Sequence, residues 1–229
     1  MNRIVVRHVP EVGERTAVDA DGSHHLLRVQ RLARGASVVA TDASGVRATC
    51  TLVDVAQGIA ILEVVAREAG PAPLPRVVLL GIPRGPALDE ALTAGTEGGA
   101  TEFRLFPAHR SPPGALRVDR MERVLRAAVT QCGRADQPVI RAARSLAEAL
   151  DGLPALRYLA APGATGPVGH VRDAAAVAIG PEGGWSPDEE RALVDAGFIP
   201  IGLGPFILRT PTAVAAALGC LWPGSTDPA

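Results

Sequence analysis

The segment Ile179-Gly-Pro-Glu-Gly-Gly-Trp-Ser-Pro-Asp-Glu-Glu190, with Leu203-Gly-Pro-Phe-Ile-Leu-Arg-Thr-Pro-Thr-Ala213 shortly after it, decides the architecture. Each reads as a buried strand that stops at a glycine-rich loop and restarts as a helix. Ala175 to Ile179 is a short apolar run ended by Gly180-Pro181. Ser186 reads as an N-cap, Pro187 takes the first helical position, and Glu189 completes a capping box. Ile199 to Ile201 reads as the next strand, and Thr210-Pro211 again as a cap followed by proline. Two strand–loop–helix units this close build a crevice at the carboxyl ends of parallel strands, where α/β sheets bind ligands. Glu182 sits between proline and glycine, where a charged residue has no evident structural use.

Working outward, Val77 to Leu80, Glu102 to Phe106 and Arg157 to Ala160 read as strands. Ala87 to Thr96, Val118 to Cys132 and Ser145 to Leu150 read as helices. Strands alternating with helices imply an α/β domain with a mostly parallel sheet, here over 76–229. Before it, Ala69-Gly-Pro-Ala-Pro-Leu-Pro75 marks a domain boundary, since its prolines stiffen the chain and remove ladder donors. Residues 1–70 read as a small, mostly β domain. Its expected strands are Arg3 to Val9, Ser37 to Thr41, Arg47 to Val55 and Ile59 to Val65, with a turn at Asp42 to Gly45 and a helix from a Ser23 cap to Leu32.

The chain has 229 residues, 23 arginines, no lysine and a net charge of −1, which excludes a uniformly basic nucleic-acid coat. Charge is uneven: residues 76–157 hold 12 Arg against 9 acids, residues 158–229 hold 3 Arg against 7. A phosphate-binding surface is expected on the first part and the middle. Cys50, Cys132 and Cys220 are odd in number and widely spaced, so neither a disulfide framework nor a metal site is expected. There is no signal-like N-terminus and no apolar run able to span a bilayer, so the expected location is cytoplasmic.

Gly-Pro-Glu-Gly-Gly at 180–184, Leu-Gly at 203–204 and Ile-Leu-Arg-Thr at 207–210, in this order and spacing, resemble the bacterial 16S rRNA (uracil-N3)-methyltransferases of the SPOUT class. Blocks at His24-His25-Leu26, Arg28-Val29, Arg31-Leu32, Gly81 to Gly85, Thr96 to Gly98 and Gln131 to Arg134 extend the resemblance over nearly the whole chain. It implies an N-terminal PUA-like β barrel and a SPOUT α/β domain whose C-terminal chain forms a trefoil knot. It also implies methylation of uridine N3 in small-subunit RNA, with S-adenosyl-L-methionine as cofactor, no metal, and a homodimer.

Three loops of such a site would wrap the cofactor. They map to Pro162 and Gly163, to Gly180, Glu182 and Gly183, and to Leu203, Gly204, Ile207 and Leu208. Glycine backbones suit the role because they allow close approach. Loss of the uracil N3 proton needs a cation beside the ring oxygens, and Arg209 at a helix start is the candidate catalytic residue. His25, Arg28, Arg31, Arg84 and Arg134 are candidate RNA contacts. Arg28 and Arg31, three apart, are expected to share one helix face. The final helix, 212–221, is apolar nearly all round and implies a second buried face at a dimer interface. Departures from the family pattern, such as Pro211 where relatives usually carry Glu, leave a non-catalytic assembly factor or a paralogue with another RNA target as alternatives.

Overall fold

The computed structural model describes residues 2–42, 44–70, 73–114, 116–164 and 171–222. Pro71 and Ala72 of the proline-rich boundary and Ala43 of the expected turn lie outside them. The chain divides into two compact units. One comprises Met1–Pro73 with Arg126–Gln137, the other Leu74–Leu125 with Pro138–Ala229. The first therefore takes in a stretch that the sequence boundary assigns to the second.

The first unit holds a five-stranded mixed sheet in the order β1 (Arg3–Val5), β3 (Ser37–Thr41), β4 (Val46–Ala56), β5 (Ile59–Ala69) and β2 (Arg15–Ala17). Only β1 and β3 run parallel. Along β4 buried and open positions alternate, so one face packs the core of Leu26, Val38, Ala48, Leu52 and Leu62. Gln57 and Gly58, both at positive φ, make the two-residue turn joining β4 to β5. Arg126, Gln131 and Gly133 join this unit through polar contacts. The Arg126 guanidinium pairs with Asp19 at 3.0 Å, and Arg47 donates to the Gly133 carbonyl at 2.9 Å.

Two expectations fail in this unit. Asp19, not Ser23, caps the helix α1 (Ala20–His24), accepting from the Gly22 amide at 2.8 Å. Ser23 is buried instead, its hydroxyl bonded to the Val18 carbonyl and the Ala60 amide, so it fastens the helix to the sheet. The helix then widens into a π turn over His25–Val29, and Arg31 follows at φ 55°. Arg28 and Arg31 thus do not share a helix face, because the helix has ended before Arg31.

In the second unit six strands run parallel, in the order β11 (Ile199–Ile201), β9 (Leu156–Ala160), β10 (Ala175–Ile179), β6 (Arg76–Gly81), β7 (Glu102–Phe106) and β8 (Val139–Ala142). Every residue of β6 and β10 is buried, as expected for strands covered on both faces. Val78, Leu80, Val177 and Ile179 face one core with α2 (Gly85–Glu97), with Met121 and Leu125 from the first part of α3 (Val118–Cys132), and with α6 (Thr210–Cys220). Val77, Leu79, Ala176 and Ala178 face the other, closed by α4 (Leu146–Ala149) and by Leu193 of α5 (Pro187–Asp195). Helix α6 presents Val214, Ala217 and Leu218 to the core and leaves Thr212, Ala215 and Gly219 exposed. Its apolar character is therefore only half used within the unit.

Arg76, 6% exposed, is the second unit's buried clamp. Its guanidinium donates to the carbonyls of Pro75, Asp173, Val171 and Leu221, at 3.2, 2.5, 2.5 and 3.1 Å. Burial pushes its pKa down, opposed by Tyr158 and Asp173. Four carbonyl dipoles make the buried charge tolerable. No helix among the described residues is long and apolar enough to cross a membrane.

Candidate functional site

Neighbouring strands β11, β9 and β10 end side by side, and the loops leaving their carboxyl ends enclose a cavity of about 370 Å³. Its size falls within the usual range for small-molecule sites. Pro162 comes from the loop after β9. Gly180 and Glu182 come from the loop after β10, and Leu203, Gly204, Ile207 and Leu208 from the loop after β11. Gly163 and Gly183 stand next to lining residues without lining the cavity themselves.

The loop after β10 is heavily bonded. Its Gly184 amide turns back to the Pro181 carbonyl at 2.8 Å, with Gly184 at φ 72°. Arg110 donates to the Gly183 carbonyl at 2.6 Å. Ser186 and Glu189 form the expected capping box, and Glu189 also receives the His109 amide at 2.7 Å. Glu182 has a structural use after all: both carboxylate oxygens accept the Arg84 amide, at 3.1 and 3.2 Å. That amide belongs to the N-cap residue of α2, so a carboxylate from 98 positions downstream takes the part that a Glu three residues into the helix takes in a capping box. Beneath the loop, Gly81 leaves room that a Cβ would fill, 2.8 Å from Pro181 and 3.1 Å from Trp185. The Trp185 ring stacks on Phe106, centroids 5.8 Å apart.

Thr210 is the first residue of α6 rather than its cap. Its hydroxyl donates to the Gly180 carbonyl at 3.3 Å and so links the second loop to the first. Arg209 occupies the cap position without a side-chain capping bond, and its carbonyl accepts the Ala213 amide at 2.8 Å. Its side chain is exposed and has no hydrogen-bond or ion-pair partner among the described residues. It does not line the cavity, although Leu208 and Thr210 on either side do.

The other expected residues are dispersed. Arg84 is exposed in the second unit. In the first unit His25 meets Gln30 through Nε2 at 3.0 Å, Arg28 and Arg31 are exposed, and Arg134, 13% exposed, pairs with Asp136 through two bonds. Trp185, Glu190 and Phe206 line the cavity without having been anticipated. The Nε1 of Trp185 is buried and has no acceptor among the described residues. Glu182 and Glu190 make its polar rim acidic, which suits a cationic ligand. No cluster of His, Cys, Asp and Glu able to hold a metal occurs among the described residues.

Comparison with known proteins shows the family. Residues 70–222 match the model of the RNA methyltransferase domain. The ribosomal RNA small subunit methyltransferase E of Mycobacterium tuberculosis is 33% identical, over 93% of this chain and 88% of that protein. That of Synechocystis is 30% identical, over 85% and 68%. The crystal structure of the same enzyme from Neisseria gonorrhoeae, bound to S-adenosyl methionine, is similar with a TM-score of 0.85 and 27% identity. It covers 96% of this chain and 95% of that one. The chain belongs to the RNA methyltransferase family, in the branch of the ribosomal RNA small subunit methyltransferases E.

Proposed function

We propose that this protein transfers a methyl group from S-adenosyl-L-methionine to N3 of a uridine in 16S RNA of the small ribosomal subunit. The observation that carries the reading is the cavity closed by three loops at the carboxyl ends of β9, β10 and β11, in a chain of this family. We assign cofactor contact to Pro162, Gly163, Gly180, Glu182, Gly183, Leu203, Gly204, Ile207 and Leu208. Leu203 and Leu208, half-buried, supply apolar walls for an adenine. The glycine backbones supply polar contacts, and the two glutamates favour the positive sulfonium. The cofactor supplies an activated methyl group on that sulfonium.

The residues of this chain deal with the acceptor. Uracil N3 must lose its proton, leaving negative charge on the flanking oxygens. Arg209, uncommitted to any other group among the described residues, would stabilise that anion. RNA contact is assigned to His25, Arg28, Arg31, Arg84 and Arg134; Arg134 would share or leave Asp136 to reach a phosphate. We further read the first unit as a PUA-like RNA-binding domain and the second as a SPOUT domain with a C-terminal trefoil knot. The protein works in the cytoplasm as a homodimer. The exposed face of α6, made of the small residues Thr212, Ala215 and Gly219, supports the dimer because it admits close helix approach.

Incubation with small subunits and labelled S-adenosylmethionine, followed by nucleoside mass spectrometry, tests the activity. N3-methyluridine at one position is the expected product. Cofactor binding with no methyl incorporation into RNA would refute it. Light scattering at micromolar concentration tests the dimer, which an active monomer with α6 exposed overturns.

A further inference from the structure

The chain holds few aromatic residues: four Phe, two Trp and one Tyr. Phe103, Phe106, Phe198 and Tyr158 lie in the cores of the second unit, and Trp185 is half-buried on Phe106. Trp222 is 55% exposed but does not line the cavity, and Phe206 differs from all six. It is 80% exposed, yet it lines the cavity between the β10 and β11 loops. A phenyl ring that is both open to solvent and part of the cavity wall stands at its mouth. The apolar walls deeper in, Leu203 and Leu208, are less open. Arg209 follows three residues later.

We propose that Phe206 is the stacking platform for the target uridine base. The inference rests on the reading of the cavity as the methyl-donor site, and adds how the acceptor is held there. A methyl acceptor must sit against the mouth of the donor's cavity, and Phe206 is the exposed aromatic face lining it among the described residues. Uracil offers two separable recognition surfaces. Its ring face can stack on an aromatic side chain, and its edge carries N3 and the two flanking oxygens. Stacking on Phe206 occupies the face alone, leaving the edge free for the methyl donor and for Arg209. A base held this way must be out of its own stack, so the platform selects an unpaired or extruded uridine. A stack by itself does not discriminate between bases. The choice of uracil therefore falls to the groups at its edge.

The test compares Phe206→Ala, Phe206→Leu and Phe206→Tyr in the full chain. Three readouts are taken: methylation kinetics on small-subunit RNA, S-adenosylmethionine affinity by calorimetry without RNA, and mass by light scattering. Loss of one base–aromatic stack predicts a fall in kcat/KM for RNA of about 10- to 100-fold in the Ala variant. Leu, apolar but not aromatic, should fall nearly as far, and Tyr should recover most of the loss. Cofactor affinity and mass should stay those of the parent protein. Cofactor affinity falling in step with activity would mean the ring packs on the cofactor. Loss of mass in step with activity would mean it packs on a second subunit. Leu matching the parent would mean it gives only apolar cover. Each of these outcomes overturns the proposal. A parent protein that binds no S-adenosylmethionine overturns the reading of the cavity, and the platform with it.

Discussion

The two loops that face each other across the cavity are built on opposite principles. The loop after β10 is tied from several directions: Glu182 to the Arg84 amide, Arg110 to the Gly183 carbonyl, the Gly184 amide to Pro181, and a capping box at its exit. The loop after β11 has almost none of this. Among the described residues, Leu203 to Leu208 make no hydrogen bond to one another or to the rest of the unit, and Phe206 and Ile207 are 80% and 86% exposed. One wall is preformed and the other is open. A ligand gains orientation from the first without an ordering cost, and must supply the contacts that order the second. Within a single site, the fixed wall suits a ligand that is always the same. The open wall, which holds Phe206 beside the assigned cofactor contacts Leu203, Gly204, Ile207 and Leu208, suits a site that must also admit an acceptor delivered on a large RNA.

The strongest way to test the open wall is at its end. Arg209→Ala should lower turnover by about 10²- to 10³-fold, the usual cost of losing one oxyanion-type donor, with cofactor affinity little changed. Single-turnover kinetics will decide it, and near-normal turnover removes Arg209 from the chemistry. The fixed wall is broken next by Gly180→Val. Even a Cβ there stands 3.3 Å from Trp185 and 3.4 Å from the Gly184 backbone, and the branch adds bulk at the cavity. Overpacking of this kind should weaken S-adenosylmethionine binding by roughly 100-fold, read by calorimetry on the folded variant. Unchanged affinity would move the cofactor away from this loop.

Glu182→Ala is milder. It removes a helix-capping acceptor as well as a cavity carboxylate, and should cost about 1 kcal/mol in denaturant unfolding. Cofactor affinity should fall too. A loss of affinity without loss of stability would separate the two roles. The smallest effect sharpens the comparison itself. Hydrogen exchange at amides of residues 203–208 should slow on addition of S-adenosylmethionine, while the Gly184 amide, bonded to the Pro181 carbonyl, is protected already. Equal change in both loops would show that neither wall is preformed.

Much of the second unit was legible because its punctuation is strong. Strands Glu102–Phe106, Ala175–Ile179 and Ile199–Ile201 and helix Val118–Cys132 have the bounds that the apolar runs, glycines and prolines predict. Strands Arg15–Ala17 and Val139–Ala142 went unseen because both lie at sheet edges and carry no buried alternation to read. The π turn at His25–Val29 has no sequence pattern of its own, and Ser23 looked like a cap because a buried serine and a capping serine are the same letter. At the cavity, the glycine loops could be read locally. The place of Trp185, Glu190 and Phe206 in its wall could not, since it depends on β9 lying between β11 and β10, an order no local stretch encodes. The Glu182 link to Arg84 is hidden for the same reason.

The Arg76 clamp bears on how the chain is made. Its guanidinium sits at the start of the second unit's first strand, but its acceptors at Val171, Asp173 and Leu221 lie 95, 97 and 145 positions further along the chain. Strand β10, which pairs directly with β6, also arrives late. A nascent chain can therefore begin this sheet early but cannot finish it: Pro75 is the one acceptor at hand at first, and the set that makes burial of Arg76 tolerable is complete when Leu221 emerges. Domains tend to fold as units during synthesis. Here closure waits for residue 221, so a ribosome stalled before it would hold an unsealed second unit with its apolar strands open to chaperones and proteases.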